Sequence, residues 1–223
     1  MGGDLGPFWL SLRVASLATL LIVAAGVPSA WVLARARFPG KSLVAGVLVL
    51  PLVIPPTVLG YGLLLLLGRQ GWFGRWLEST WGITVVFHWS GAVVASAVAA
   101  FPMFLLPARS SFEGVDPALE DAARLLGRGE ASVFASITLP LSWRGLAAGS
   151  VLAFARALGD FGATLMVAGN IPGLTQTASL AIFDAVAADD PARAARLSLA
   201  VALASMAAVV LAQKAWPAGG LGR

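Results

Sequence analysis

Cysteine is absent from this 223-residue chain, histidine and tyrosine occur once each, and charged residues make up only 12% of it. Without cysteine there is no disulfide framework, no thiolate metal site and no thiol redox chemistry. The single His88 cannot supply an HExxH pair, carboxylates do not cluster as metal ligands, and neither GxxxxGKS nor GxxxxGKT occurs to cradle a nucleotide. No metal site, cofactor-binding residue or catalytic residue is therefore assigned. A nucleophile with its base cannot be assembled either, so the chain does not read as an enzyme. Charge is scarce enough to bear on partners as well. Fifteen Lys and Arg against 11 Asp and Glu leave a net charge of +4. The basic residues come in ones and twos and form no nucleic-acid-binding face.

What the chain has instead is apolar length. Hydrophobic residues are 58% of it and its mean hydropathy is +0.85, outside the balance of soluble domains. The reading is an all-α, polytopic membrane protein forming a single domain over 1–223. Five runs serve as spans, at residues 14–33, 43–67, 83–106, 146–168 and 197–212. About 20 apolar residues cross a hydrocarbon core of roughly 30 Å as a helix.

Residues 1–7 read as a short extramembrane lead. Val27-Pro28-Ser29-Ala30 would suit a signal cleavage site, but no basic cluster precedes the first run, and Arg35, Arg37 and Lys41 follow it as an anchor. Pro51, Pro55 and Pro56 each remove a backbone donor, so the second span should be kinked or broken near its middle. Residues 68–82 read as a loop, with Trp72, Trp76 and Trp81 as interfacial anchors. Small residues fill the middle of the third span, and Pro102 and Pro107 should end it. His88 near its start lacks an acidic neighbour and reads as an interfacial histidine rather than a proton relay.

The fourth span holds Arg156 and Asp160 four residues apart, at a depth where an isolated charge costs several kcal/mol. They share a helical face and can pair, either lining a path or bracing the structure. Gly159 and Gly162 let the same helix pack closely or bend. Residues 170–196 then read as a long loop that opens on Asn170 and carries a short apolar helix over 179–187, too short to span.

One long polar passage, residues 110–140, separates the third and fourth spans. Asp116 before Pro117 is a helix start, a carboxylate for the first free N–H groups and a ring suited to the first helical position. Gly127 is the matching stop. Leu119, Ala122, Ala123 and Leu126 share one face, with Glu120, Asp121 and Arg124 on the rest, so the apolar stripe must be buried against this domain or another protein.

The spacing sharpens that choice. Asp121-Ala122-Ala123, three residues, Gly127, nine residues, Ile137, one residue and Leu139-Pro140 resembles the motif with which ABC importer permeases meet their ATPases, with Asp121 in the place of Glu and Glu120 beside it. Phe154 to Thr164 resembles a segment of molybdate and sulfate permeases, again with Asp160 for Glu. Leu33-Ala34-Arg35, Phe38-Pro39-Gly40 and Leu50-Pro51-Leu52-Val53-Ile54-Pro55-Pro56 extend the resemblance, which covers residues 12–212 and is strongest to the compact molybdate type.

This resemblance implies a type I ABC importer membrane-domain fold of five transmembrane helices with a cytoplasmic coupling helix. It implies an ATPase-coupling site of Leu119, Glu120, Asp121, Ala122, Ala123, Leu126 and Gly127. Arg156 and Asp160 are then candidates for the translocation path or a structural ion pair. Pro51, Pro55, Pro56, Gly159, Gly162 and Asn170 are hinge or gate candidates. The expected partners are a second copy of the chain, two cytoplasmic ATPase subunits that hold ATP and Mg, an external binding protein and membrane lipid. Molybdate is the implied cargo, with tungstate, sulfate or another anion as alternatives.

Orientation follows from the basic residues. Arg35, Arg37, Lys41, Arg109, Arg124, Arg128, Arg144, Lys214 and Arg223 outnumber Arg69, Arg75, Arg193 and Arg196, with Arg13 at their edge, on the other side. By the positive-inside tendency the 110–140 passage and the carboxyl terminus face the cytoplasm and the amino terminus faces out. An ATP-independent secondary transporter is the rival class and would need more intramembrane acids than Asp160. A scaffold without transport leaves the capped helix unexplained.

Overall fold

The computed structural model describes residues 5–215, with 211–215 by their backbone alone. Arg223, the Lys214 side chain and both chain ends lie outside what is described, and so does most of the expected lead. Among the described residues there is no strand. Four helical stretches among the described residues are long and apolar enough to cross a bilayer, five if one bent pair is counted as a span.

The centre is a three-helix layer of α1 (Gly6–Arg35), α5 (Trp89–Glu113) and α8 (Leu139–Leu158). Small residues let these backbones approach: Ala15, Ala18 and Ala30 of α1, Ala92, Ala100 and Ala108 of α5, and Ala153 and Ala157 of α8 are all buried. Phe104 of α5, fully buried, fills the space left by two glycines. A Cβ at Gly26 would strike its ring, and one at Gly149 would lie 3.0 Å from its carbonyl oxygen. The two serines Ser111 and Ser142 donate reciprocally to each other's carbonyls at 3.0 and 3.4 Å, pinning α5 to α8.

The first helix starts at Gly6, well before residue 14, so residues 6 and 7 belong to it rather than to a lead. The second run is broken as its prolines require. Its halves, α2 (Lys41–Val49) with a 3-10 turn over Leu50–Leu52 and α3 (Pro56–Leu67), meet at 111°. Residues 72–81 form a helix, not a loop: α4 (Trp72–Trp81) turns Phe73 and Leu77 onto Leu67 and Val85, while Trp72, Trp76 and Trp81 stay exposed. Neither Pro102 nor Pro107 ends the third span. Both lie inside α5, which runs on to Glu113, because a bundle can tolerate interrupted backbone bonding where neighbours cover the helix. The polar passage therefore shortens to the stretch after Glu113.

It contains α6 (Pro117–Leu125) and α7 (Glu130–Val133), and α7 runs through a π-helical turn (Phe134–Thr138) directly into α8. The fourth run is not one helix. It breaks after Leu158 and resumes as α9 (Gly162–Ala168). The short helix expected over 179–187 is present as α10 (Ala178–Ala187), while the end of the expected loop is taken up by α11 (Pro191–Ala215). Asp190 caps α11 by accepting the Arg193 N–H at 2.9 Å, which starts that helix ahead of residue 197.

Candidate functional site

The short helix α6 forms where its cap and stop place it. Asp116 Oδ1 accepts the Ala118 N–H at 2.9 Å, Pro117 opens the helix, and Gly127 takes φ +81° just past its end. Its faces divide differently from the apolar-stripe expectation. Leu119, Ala122 and Leu126 point outward, with Leu126 84% exposed, but Ala123 is buried against the chain. Leu125, not assigned to the stripe, is 89% exposed because the helix ends there and the chain turns away.

Glu120 is the larger departure. Instead of sharing the solvated edge, it is 4% exposed and turned inward. Its Oε1 accepts from Arg35 Nη2 at 3.0 Å and from Thr138 Oγ1 at 2.7 Å. Asp121 remains outside and pairs with Arg124 at 2.6 Å. Arg124 also donates to Glu130 at 2.7 and 3.1 Å. Those two carboxylates, Glu130 first and then Asp121, raise the Arg124 pKa above its ordinary value by accepting its hydrogen bonds. Arg35, expected only as an anchor, also donates to the Val115 carbonyl at 2.9 Å. A cavity of about 530 Å³ opens beside these groups, lined by Arg35, Arg37, Lys41, Glu120, Glu130 and Thr138 among others.

The second constellation sits at the α8–α9 break. Gly159 ends α8 and Gly162 begins α9, so Asp160 lies between helices rather than within one. Its Oδ1 accepts from Arg156 Nη1 at 3.2 Å, and its Oδ2 accepts the Thr164 N–H at 3.0 Å and the Thr164 hydroxyl at 2.7 Å. The carboxylate thus caps the first turn of α9 while holding the arginine. Ser96 of α5 continues the chain of hydroxyls, 3.3 Å from Thr164. The Asp160 side chain is 1% exposed and that of Arg156 29%, so only the arginine offers an open face.

The proline break and this one meet. Pro55 precedes α3 and Pro56 opens it, while Pro51 lies in the 3-10 turn. A Cβ on Gly162 would lie 3.0 Å from Pro56, and one on Gly60 of α3 would lie 2.9 Å from the Ala163 backbone of α9. Asn170, just beyond α9, donates to Asp184 Oδ1 at 2.8 Å, and Gln176 donates to Asp184 Oδ2 at 2.7 Å, folding the 170–177 segment onto α10. At the start of α5, His88 Nδ1 accepts the Ser90 N–H at 3.3 Å, a local capping role. No group of three or more metal-ligating side chains occurs among the described residues.

Residues 22–214 match the family model described as "Binding-protein-dependent transport system inner membrane component". The "Molybdenum transport system permease protein ModB" of Escherichia coli is 48% identical over 208 residues, 90% of this chain and 91% of that protein. Its namesake from Haemophilus influenzae is 45% identical over 205 residues, 92% of this chain and 90% of that one. The "Sulfate transport system permease protein CysW" of Synechocystis is 38% identical over 205 residues, covering 92% of this chain and 73% of that protein.

Proposed function

The chain belongs to the binding-protein-dependent transport inner-membrane components, and from that membership we propose that it is the permease subunit of an ATP-driven importer carrying molybdate, or the closely similar tungstate, across the cell membrane. Two cytoplasmic ATPase subunits supply the energy and hold ATP and Mg. An external binding protein delivers the anion, and a second copy of the chain completes the path. Turnover follows alternating access: ATP closes the two ATPases, α6 moves with them, and the bundle reopens toward the outside. For ATP to drive this, its binding energy must differ between the two states.

One observation carries the reading. In the stretch that matches the coupling motif, a capped helix is fixed to its own domain by Glu120 and Ala123 and leaves Leu119, Ala122, Leu125 and Leu126 facing outward. Apolar side chains held outward on a short rigid helix suit a groove on another protein. That helix faces the cytoplasm in this reading, with the amino terminus outside and the carboxyl terminus inside, in keeping with the basic residues near it.

Within the bundle, Asp160 is a bracing residue that holds Arg156 and the head of α9, and Arg156 is the group that meets the passing anion. A cation half-neutralised by a buried partner attracts an oxyanion without trapping it, as passage requires. Both oxygens of Asp160 are occupied, which leaves no free carboxylate at this site to drive ion-coupled transport. Pro51, Pro55, Pro56, Gly159 and Gly162 mark the breaks about which α3 and α9 move, and Asn170 holds the outer segment closed through Asp184.

Reconstitution in liposomes with an ABC ATPase and the binding protein tests this directly. Radiolabelled molybdate should accumulate only with ATP, and sulfate in equal amount should compete poorly. Uptake without ATP would overturn the importer reading. Efficient competition by sulfate would move the cargo toward that of the sulfate permease relative.

A further inference from the structure

We propose that Glu120 is a positioning residue that joins the ATPase-facing helix α6 to two spans at once, so that a displacement of α6 is delivered to the ends of α1 and α8. The inference rests on the coupling role given to α6 above and adds the route by which movement leaves that helix.

A charged residue on a short surface helix is expected in water, yet Glu120 is 4% exposed. Burying a carboxylate is unfavourable unless partners replace its water. Here one oxygen, Oε1, takes both replacements, from Arg35 at the end of α1 and from Thr138 where the π turn becomes α8. The other oxygen lies 3.8 Å from Arg124. Arg35 Nη2 also holds the Val115 carbonyl, in the strand of chain that enters α6. The end of α1 therefore grips both α6 and its approach.

The neighbouring contacts do not repeat this. Among the described hydrogen bonds, the remaining side-chain bonds of Asp116, Asp121 and Arg124 stay within α6 or reach Glu130 of α7. At the exit, Gly127 takes a left-handed turn with nothing within 4 Å of its Cβ position. A push transmitted only through that turn would be absorbed by it. The Glu120 link bypasses the turn and ends on α1 and α8, two of the three central helices. The π turn under Thr138 is a widened turn of the kind that concentrates at functional sites, and it gives the recipient element a place to yield.

The test uses the chain reconstituted with its ATPase and binding protein, comparing Glu120→Ala, Glu120→Gln and, as a control at the same end of the bundle, Glu113→Gln. Glu113 is an exposed carboxylate paired with Arg109 at 2.8 Å. The quantity read is anion taken up per ATP hydrolysed. Glu120→Ala should retain the ATPase on purification, keep hydrolysis within about twofold and lower the uptake ratio about tenfold. Glu120→Gln, whose amide oxygen still accepts hydrogen bonds, should fall between, and Glu113→Gln should match the parent.

If uptake and hydrolysis fall together with an unchanged ratio, Glu120 is merely structural and the proposal fails. Loss of the ATPase from the Glu120→Ala complex would make the residue a partner contact and also overturn it. Should the Glu120→Ala chain itself not fold into the membrane, the ratio is read from Glu120→Gln and from Thr138→Val, which removes one of the two bonds at nearly constant volume. A parent ratio in both rejects the link. Failure of the underlying reading is seen separately, as a parent chain that captures no ATPase.

Discussion

Two buried carboxylates in this chain are satisfied by the same pair of side-chain types, yet they hold together different distances of chain. Glu120 takes an arginine and a threonine that lie 85 and 18 residues away in sequence. Asp160 takes an arginine and a threonine four residues to either side. The first set joins three elements across the bundle's end, and the second mends one interrupted helix. Identical chemistry therefore serves as a long-range fastening at one site and as a local cap at the other. Loss of a partner should unsettle the bundle in the first case and only one helix junction in the second.

The largest expected effect comes from removing Arg35, the arginine of the long-range site. Arg35→Ala strands Glu120 with one hydroxyl donor and a distant Arg124 and frees the Val115 carbonyl. Because Arg35 is itself 21% exposed, the loss should fall at the low end for a broken buried pair, about 3 kcal/mol. Arg156→Ala leaves Asp160 with both Thr164 bonds and removes an arginine that is itself 29% exposed, for about 1.5 kcal/mol. Asp160→Asn should be milder still, since its amide oxygen can go on accepting from Thr164. Thermal melting of the variants in detergent ranks them. Equal melting of Arg156→Ala and Asp160→Asn with lost uptake would instead place both residues on the path.

Sequence reading handled these two sites unequally for a physical reason. Caps and stops are local, so Asp116, Pro117 and Gly127 mark α6 without knowledge of the rest of the fold. Which face of α6 is buried is not local. Periodicity placed Ala123 with the outward leucines and Glu120 with the solvated edge, because nothing within a few turns announces Arg35. At Asp160 the signal was present but read as spacing: an acid followed four residues later by a threonine, between two glycines, is also the pattern of a helix restarting. Pro102 and Pro107 misled for the opposite reason, since a proline that would end a helix in water can be carried inside a bundle. The tryptophans of α4 were legible as exposed groups but not as a helix, whose inward face depends on Leu67 and Val85.

An effect between those of Arg35→Ala and Arg156→Ala is expected where the local site meets its neighbour. Gly60→Ala would bring a methyl within 2.7 Å of Met166 Cβ and 2.9 Å of the Ala163 backbone. Backbone cannot swing aside, so α3 must separate from α9 at about 2 kcal/mol. Melting should fall accordingly, while the uptake ratio assigned to Glu120 stays at the parent value. If that ratio drops as well, the two sites are not mechanically separate.

The smallest change is the most discriminating for α6. Asp116→Ala removes a single capping bond from an exposed helix end, which ordinarily costs about 1 kcal/mol. It leaves Arg35, Glu120 and Thr138 untouched. If the long-range fastening holds α6 in place, the variant should melt within a few degrees of the parent and keep its uptake per ATP, because a frayed first turn is still anchored one turn later at Glu120. If instead α6 depends on its own ends, Asp116→Ala should approach the effect of Arg35→Ala and lose uptake with it. A comparison of those two melting curves therefore decides whether the carboxylate set across the bundle or the local cap governs this helix.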